Sequence, residues 1–99
     1  MNVKAVNRPM STTRIAAITG GAQGIGRCLA YTFAKQGYTV SIIDPDKEAG
    51  FEVIREIRRM NGNAIYLAGD VSREEDVERW IRVTVSELGG IHVLINNAG

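Results

Sequence analysis

Between residues 19 and 26 the sequence reads Thr19-Gly20-Gly21-Ala22-Gln23-Gly24-Ile25-Gly26. Glycine lets a backbone turn sharply and meet a ligand without a Cβ in the way. Where such a loop opens into a helix, unpaired N–H groups and the helix dipole favour negative charge. The chemistry that fits is the binding of a diphosphate, and Gly26 would also allow a helix to pack closely on a sheet. A plain strand-to-helix turn uses the same glycines, so the loop alone does not decide. About 18 residues beyond Gly26 stands Asp44, near the position from which a carboxylate reads an adenosine ribose in a dinucleotide-binding unit. Ionised, it can accept from both ribose hydroxyls and would repel a 2′-phosphate. Neither Gln23 nor Pro45 offers a compensating cation, so NAD(H) is expected over NADP(H). The competing reading of Asp44 is a solvated Asp-Pro turn or the cap of the next helix. A branched side chain at Gly24 is expected to crowd both the turn and a bound diphosphate.

These residues need strands and helices in a particular order. Residues 14–19 form a short apolar run ending in glycines, as expected of a strand buried on both faces of a parallel sheet. Ile25, Leu29 and Phe33, with Cys28 and Thr32 beside them, recur at helical spacing, so helix one is expected over residues 24–36 with Gly37 as its left-handed stop. Residues 39–44 are the second strand. Ala49, Val53, Ile57 and Met60 mark helix two, ended by Gly62. Residues 64–68 repeat the strand signal, and Ser72 with Glu75 spells a capping box for helix three. Its apolar stripe is Val77, Trp80, Ile81, Thr84 and Leu88; Gly89-Gly90 breaks it, and residues 92–96 make a fourth strand. The order βαβαβαβ with short connections implies right-handed parallel crossovers in one α/β unit spanning residues 14–99, after a loose polar leader over residues 1–13.

Composition removes several function classes. With 99 residues the chain makes at most one small domain, and 44% hydrophobic with 23% charged residues is ordinary for a globular one. Twelve Lys and Arg against eleven Asp and Glu leave no strong field to draw it to nucleic acid or a membrane surface. Cys28 is the sole cysteine, without Cys or His at metal-ligand spacing, so neither a disulfide framework nor a metal site is expected, and a reducing, cytoplasmic setting fits. No apolar run approaches the ~20 residues that span a bilayer.

Residues 19–26 resemble the Thr-Gly-x-x-x-Gly-x-Gly signature of the short-chain dehydrogenase/reductase family, and Asn96-Asn97-Ala98-Gly99 resembles its second signature. Asp70-Val71 resembles the pair that holds the adenine there, the carboxylate meeting the exocyclic amine. The resemblance covers nearly everything from Thr13 to Gly99. It implies a Rossmann-type, doubly wound α/β fold with a parallel sheet in the order 3-2-1-4. It places Gly20, Gln23, Gly24, Ile25 and Gly26 around the pyrophosphate and neighbouring ribose, and Asn97, Ala98 and Gly99 towards the nicotinamide, with Asn96 tying strands together. The family's catalytic Ser and Tyr-x-x-x-Lys lie beyond its Asn-Asn-Ala-Gly motif, so no catalytic residue is assigned in this chain.

Tyr31-Thr32-Phe33-Ala34-Lys35 satisfies Tyr-x-x-x-Lys as text, yet Tyr31 should lie roughly 10 Å along helix one from Gly24, leading away from the loop. His92 reads as a structural residue, Trp80 as core, and Arg55, Arg58 and Arg59, interleaved with Glu52 and Glu56, as a solvated helix face. The resemblance thus implies the N-terminal cofactor-binding part of an NAD-dependent alcohol/carbonyl oxidoreductase, inactive by itself. A small-molecule substrate and a homo-oligomer belong to a longer parent. The alternatives are a non-enzymatic NAD-binding module and an unstable truncated product that acts through association. With one helix on one face and an unpaired fourth strand at an edge, the isolated chain is expected to be marginally stable and prone to associate.

Overall fold

A computed structural model describes residues 2–5 and 13–97. Its elements run β1 (Asn2–Ala5), β2 (Ile15–Thr19), α1 (Gly24–Lys35), β3 (Thr39–Asp44), α2 (Lys47–Arg59), β4 (Ala64–Ala68), α3 (Glu74–Leu88) and β5 (Val93–Asn96). The four strands expected from sequence are β2, β3, β4 and β5, and they lie parallel in the order β4-β3-β2-β5. That is the expected order 3-2-1-4, a doubly wound half-sheet. The central strands β2 and β3 are buried along their whole length, so their apolar residues do not alternate with exposed polar ones; the polar residues they carry, Thr19, Thr39, Ser41 and Asp44, are buried too.

Helices α1 and α2 cover one face of the sheet, Ala30 and Ala34 of α1 and Val53 and Ile57 of α2 sharing one core with Ile18, Val40, Ile42 and Ile95 of the strands. α3 covers the other through Trp80, packed on Ala17 and Ile43. The Trp80 indole N–H donates to Ser41 Oγ at 2.9 Å, and Ser41 meets Thr84 Oγ1 at 2.7 Å. Trp80 is core, as expected, and it brings a buried polar chain with it. His92 is structural too: its Nδ1 accepts from the Ile15 N–H at 2.9 Å and its own N–H donates to the Ile15 carbonyl, so the side chain carries on the β2–β5 ladder. The Arg55–Glu52 and Arg59–Glu56 pairs, at 2.7 and 2.9 Å, lie on the solvated face of α2.

Several local expectations are corrected. Where a loose leader was expected, Asn2–Ala5 pairs antiparallel with β5, Asn2 opposite Asn96, so the fourth strand is not an unpaired edge. The fully buried stripe of α1 is Gly26, Ala30 and Ala34, with small residues where the helix lies closest to the sheet; of the expected apolar residues Leu29 and Phe33 pack against this core partly buried, while Ile25 and Cys28 are exposed. No capping box forms at α3. Arg73 is its N-cap without a side-chain bond, because Ser72 Oγ and N–H both donate to Asp70 Oδ1 instead, at 2.7 and 2.9 Å. α2 is ended by Asn61 at φ 62° rather than by Gly62, Asn being one of the few residues that enter the left-handed region readily.

Candidate functional site

Because β2, β3, β4 and β5 are parallel, their carboxyl ends all meet at one edge of the sheet, where ligands of open α/β folds bind. Each end delivers one of the expected segments. The glycine loop follows β2, Asp44 closes β3, Gly69 to Val71 follow β4, and Asn96-Asn97 closes β5.

The loop is held from three sides. The Gly20 N–H donates to the Ile43 carbonyl at 2.9 Å, fixing the loop's start to β3. Thr19 Oγ1 donates to Asn96 Oδ1 at 3.1 Å and accepts the Asn97 N–H at 2.8 Å, and Asn97 Nδ2 reaches the Gly20 carbonyl at 3.3 Å. Asn96 therefore does tie strands together, and Asn97 braces the loop. A Cβ on Gly26 would fall 2.0 Å from the Gly20 carbonyl oxygen, so only glycine lets α1 start this close to the turn. Gly20 and Gly24 take φ of 64° and 55°, a region that costs other L residues about 1–2 kcal/mol. Nothing lies within 4 Å of a Cβ placed on Gly24, so within the protein its constraint is conformational rather than the expected crowding.

What the loop presents is a bare helix end. α1 has no side-chain cap and no acidic residue in its first turn, and Gln23, at the N-cap position, sends its amide to Asp46 Oδ2 at 2.8 Å. By contrast α2 is capped by Asp46, which accepts from the Ala49 N–H, and both α2 and α3 carry acidic residues in the first turn. The first N–H groups of a helix have no partner within it, so α1 alone among the helices of the described residues keeps a terminus with neither a side-chain cap nor an acid, suited to an anion. Ile25 is 65% exposed at this mouth.

Asp44 is buried to 6% exposure, yet its carboxylate is not closed off chemically. Oδ1 accepts from the Asp46 N–H at 2.9 Å and Oδ2 from the Ala22 N–H at 3.3 Å, joining the end of β3 to the glycine loop. An ionised carboxylate has about four acceptor positions, so each oxygen retains one for a further hydrogen-bond donor. The capping role weighed for Asp44 falls to Asp46. Asp70 is exposed, and its two bonds from Ser72, backbone and hydroxyl, hold its carboxyl below the ordinary carboxylate range. Val71 is half-buried against Trp80 and Ile81, with its neighbours in a groove of about 400 Å³ between α3 and β5. Ala98 and Gly99 lie outside the described residues.

Sequence reasoning passed over three residues here. By sequence Thr19 only opens the glycine motif, Tyr66 falls within the strand over residues 64–68, and Asp46 carries no signal that singles it out. Tyr66 donates its hydroxyl to the Asp44 carbonyl at 2.8 Å. The one available signal was Gly50, a helix-interior glycine of the kind that marks a close approach: a Cβ there would meet the Tyr66 ring at 2.4 Å. Among the described residues no cluster of His, Cys, Asp or Glu could hold a metal ion, and no helix is long and apolar enough to cross a membrane.

A model of the short chain dehydrogenase family matches residues 14–99. The short-chain dehydrogenase/reductase eriH of Hericium erinaceus is 40% identical over 94 residues, which cover 91% of this chain and 37% of that protein. The L-sorbose reductase of Gluconobacter frateurii, solved with NADPH and L-sorbose, superposes with a TM-score of 0.84 at 31% identity, over 88% of this chain and 34% of the other. A variant of actinorhodin polyketide ketoreductase, solved with NADPH, gives 0.83 at 29% identity, over 88% and 33%. The chain thus spans about a third of the length of the relatives it matches.

Proposed function

The chain belongs to the short chain dehydrogenase family, and from that premise we propose that it is the NAD-binding part of an oxidoreductase that interconverts alcohols and carbonyls. The observation that carries this reading is the uncapped, acid-free N-terminus of α1, framed by glycines and joined through Ala22 to Asp44. The α1 N–H groups would take the diphosphate, and Gly20, Gln23, Gly24, Ile25 and Gly26 would surround it. Asp44 would take the adenosine ribose, Asp70 and Val71 the adenine, and Asn97, Ala98 and Gly99 the nicotinamide side. When bound, the dinucleotide supplies the hydride chemistry; this chain's residues supply its position and the field around it.

The preference for NAD rests on charge. A 2′-phosphate beside Asp44 would meet like-charge repulsion, with no guanidinium fork at Gln23 or Pro45 to offset it. The two solved relatives hold NADPH, so this preference is proposed as a feature of this chain's own residues. Isothermal calorimetry on the purified chain tests it. NAD should bind more tightly than NADP, and Asp44→Ala should weaken NAD about ten-fold or more while weakening NADP little, two charge-assisted hydrogen bonds being lost. Equal affinities for the two cofactors would contradict the preference, and an unchanged ratio in Asp44→Ala would remove Asp44 from the ribose.

A further inference from the structure

The backbone at Asp44 is held by a tyrosine from the neighbouring strand. Its carbonyl accepts two hydrogen bonds, a long one of 3.3 Å from the Gly69 N–H and a short one of 2.8 Å from the Tyr66 hydroxyl. At 3.3 Å the ladder between β3 and β4 is already weakening, so the phenol is the firmer of the two anchors at the end of β3. The Tyr66 ring reaches that point across the face of α2 only because residue 50 is glycine, since any Cβ would sit 2.4 Å from the ring carbons. Phe51 packs edge-on against the same ring, with centroids 5.4 Å apart and planes at 76°.

The phenol also stays a donor. Burial first, then the charges of Asp44 and Asp46, push its ionisation upward from the ordinary tyrosine value, so it remains protonated throughout the neutral range. Tyr66, Gly50 and Phe51 thus form a brace behind the one carboxylate that would meet the ribose.

We propose that Tyr66 is a positioning residue for cofactor recognition: through its hydrogen bond to the Asp44 carbonyl, and through the space left by Gly50, it fixes the carboxylate in the orientation that receives the ribose hydroxyls. The proposal rests on the reading of Asp44 given above. A hydroxyl acting this way affects a ligand that uses the Asp44 carboxylate and not one that avoids it, which separates a positioning role from a merely structural one.

Tyr66→Phe is the test, because it keeps the ring on Gly50 and Phe51 and deletes only the donor. Calorimetric titrations with NAD and with NADP are run on the full chain carrying Tyr66→Phe, Asp44→Ala or both, with thermal unfolding recorded in the absence of cofactor. Tyr66→Phe should weaken NAD roughly 3- to 10-fold, the range of one lost hydrogen bond, and leave NADP within about two-fold. In the Asp44→Ala background the same change should do nothing further to NAD, since the group it positions is gone. The proposal is overturned if NAD affinity is unchanged in Tyr66→Phe, if NAD and NADP weaken equally, or if the loss persists without Asp44. Failure of the underlying reading looks different: Asp44→Ala alone then leaves the ratio of NAD to NADP affinity untouched, and the proposal falls with it.

Discussion

Gly26 and Gly24 sit two residues apart and forbid side chains for different reasons. At Gly26 the obstacle is matter: a methyl group would lie 2.0 Å from the Gly20 carbonyl and 2.7 Å from Asn97 Nδ2, both part of the frame that shapes the loop. At Gly24 it is the backbone, since φ of 55° is strained for alanine although the space beside it is open. Gly26→Ala should therefore push α1 away from the loop, costing about 1–3 kcal/mol as overpacking does, and abolish dinucleotide binding. Gly24→Ala should cost about 1–2 kcal/mol and leave the contacts of Thr19 and Asn97 in place. Thermal unfolding and NAD titration of the two variants side by side check this. A Gly26→Ala protein as stable as the parent would mean that the α1–loop contact is not under compression.

At the scale of elements, α3 depends on a directed hydrogen-bond chain. Thr84 Oγ1 donates to the Trp80 carbonyl at 2.7 Å, which leaves Ser41 to donate to Thr84 while accepting from the Trp80 indole. All three side chains are buried, and removing the middle one orphans a donor and an acceptor at once. Ser41→Ala should destabilise the chain by about 1–3 kcal/mol. It should also shift the emission of Trp80, the sole tryptophan. Unchanged stability and emission would show that apolar packing alone seats α3. The contrast with Ser72 explains how much of the fold was legible. Alternating strands and helices were readable because burial imposes a period on many residues together, and β3 and β4 fall where their apolar runs fall. A hydroxyl's partner is set by whichever acceptor is nearest after folding, so Ser72 turned to Asp70 and Ser41 gave no sign of its role. The same holds for the site: the glycine loop and Asp44 could be read from spacing. Gly50 signalled only that something comes close to α2; that the partner is Tyr66 could not be read, because their meeting depends on the register of β4 against β3 and the closeness of α2.

For the whole molecule, the two faces of the sheet are covered unequally and its edges are of two kinds. The α1–α2 side carries the larger buried core, whereas on the α3 side Leu94, Ile81 and Val71 stay half-exposed around the groove of about 400 Å³. This agrees with the expected thin face. The expected bare edge does not materialise, because β1 adds itself antiparallel beside β5 in the register Val3 to Ile95. A four-residue segment with no period of its own leaves no trace in sequence; what makes it a strand is its backbone pairing with β5. β1 should then act as a shield against association as well as a source of stability. A chain starting at Thr13 removes it without touching the glycine loop, Asp44 or α3. Loss of the pairing should cost on the order of 1 kcal/mol, which lowers the Tm of a domain this size by roughly 4–8 °C. It should also expose β5, carrying Val93, Leu94 and Ile95, to other chains, so sedimentation should shift towards dimers and larger species as concentration rises, while the NAD affinity of the remaining monomer stays at the parent value. A shortened chain that melts at the parent temperature and sediments as a monomer would show that the edge of β5 needs no cover, and that the pairing of Asn2–Ala5 contributes nothing to holding the sheet apart from its neighbours.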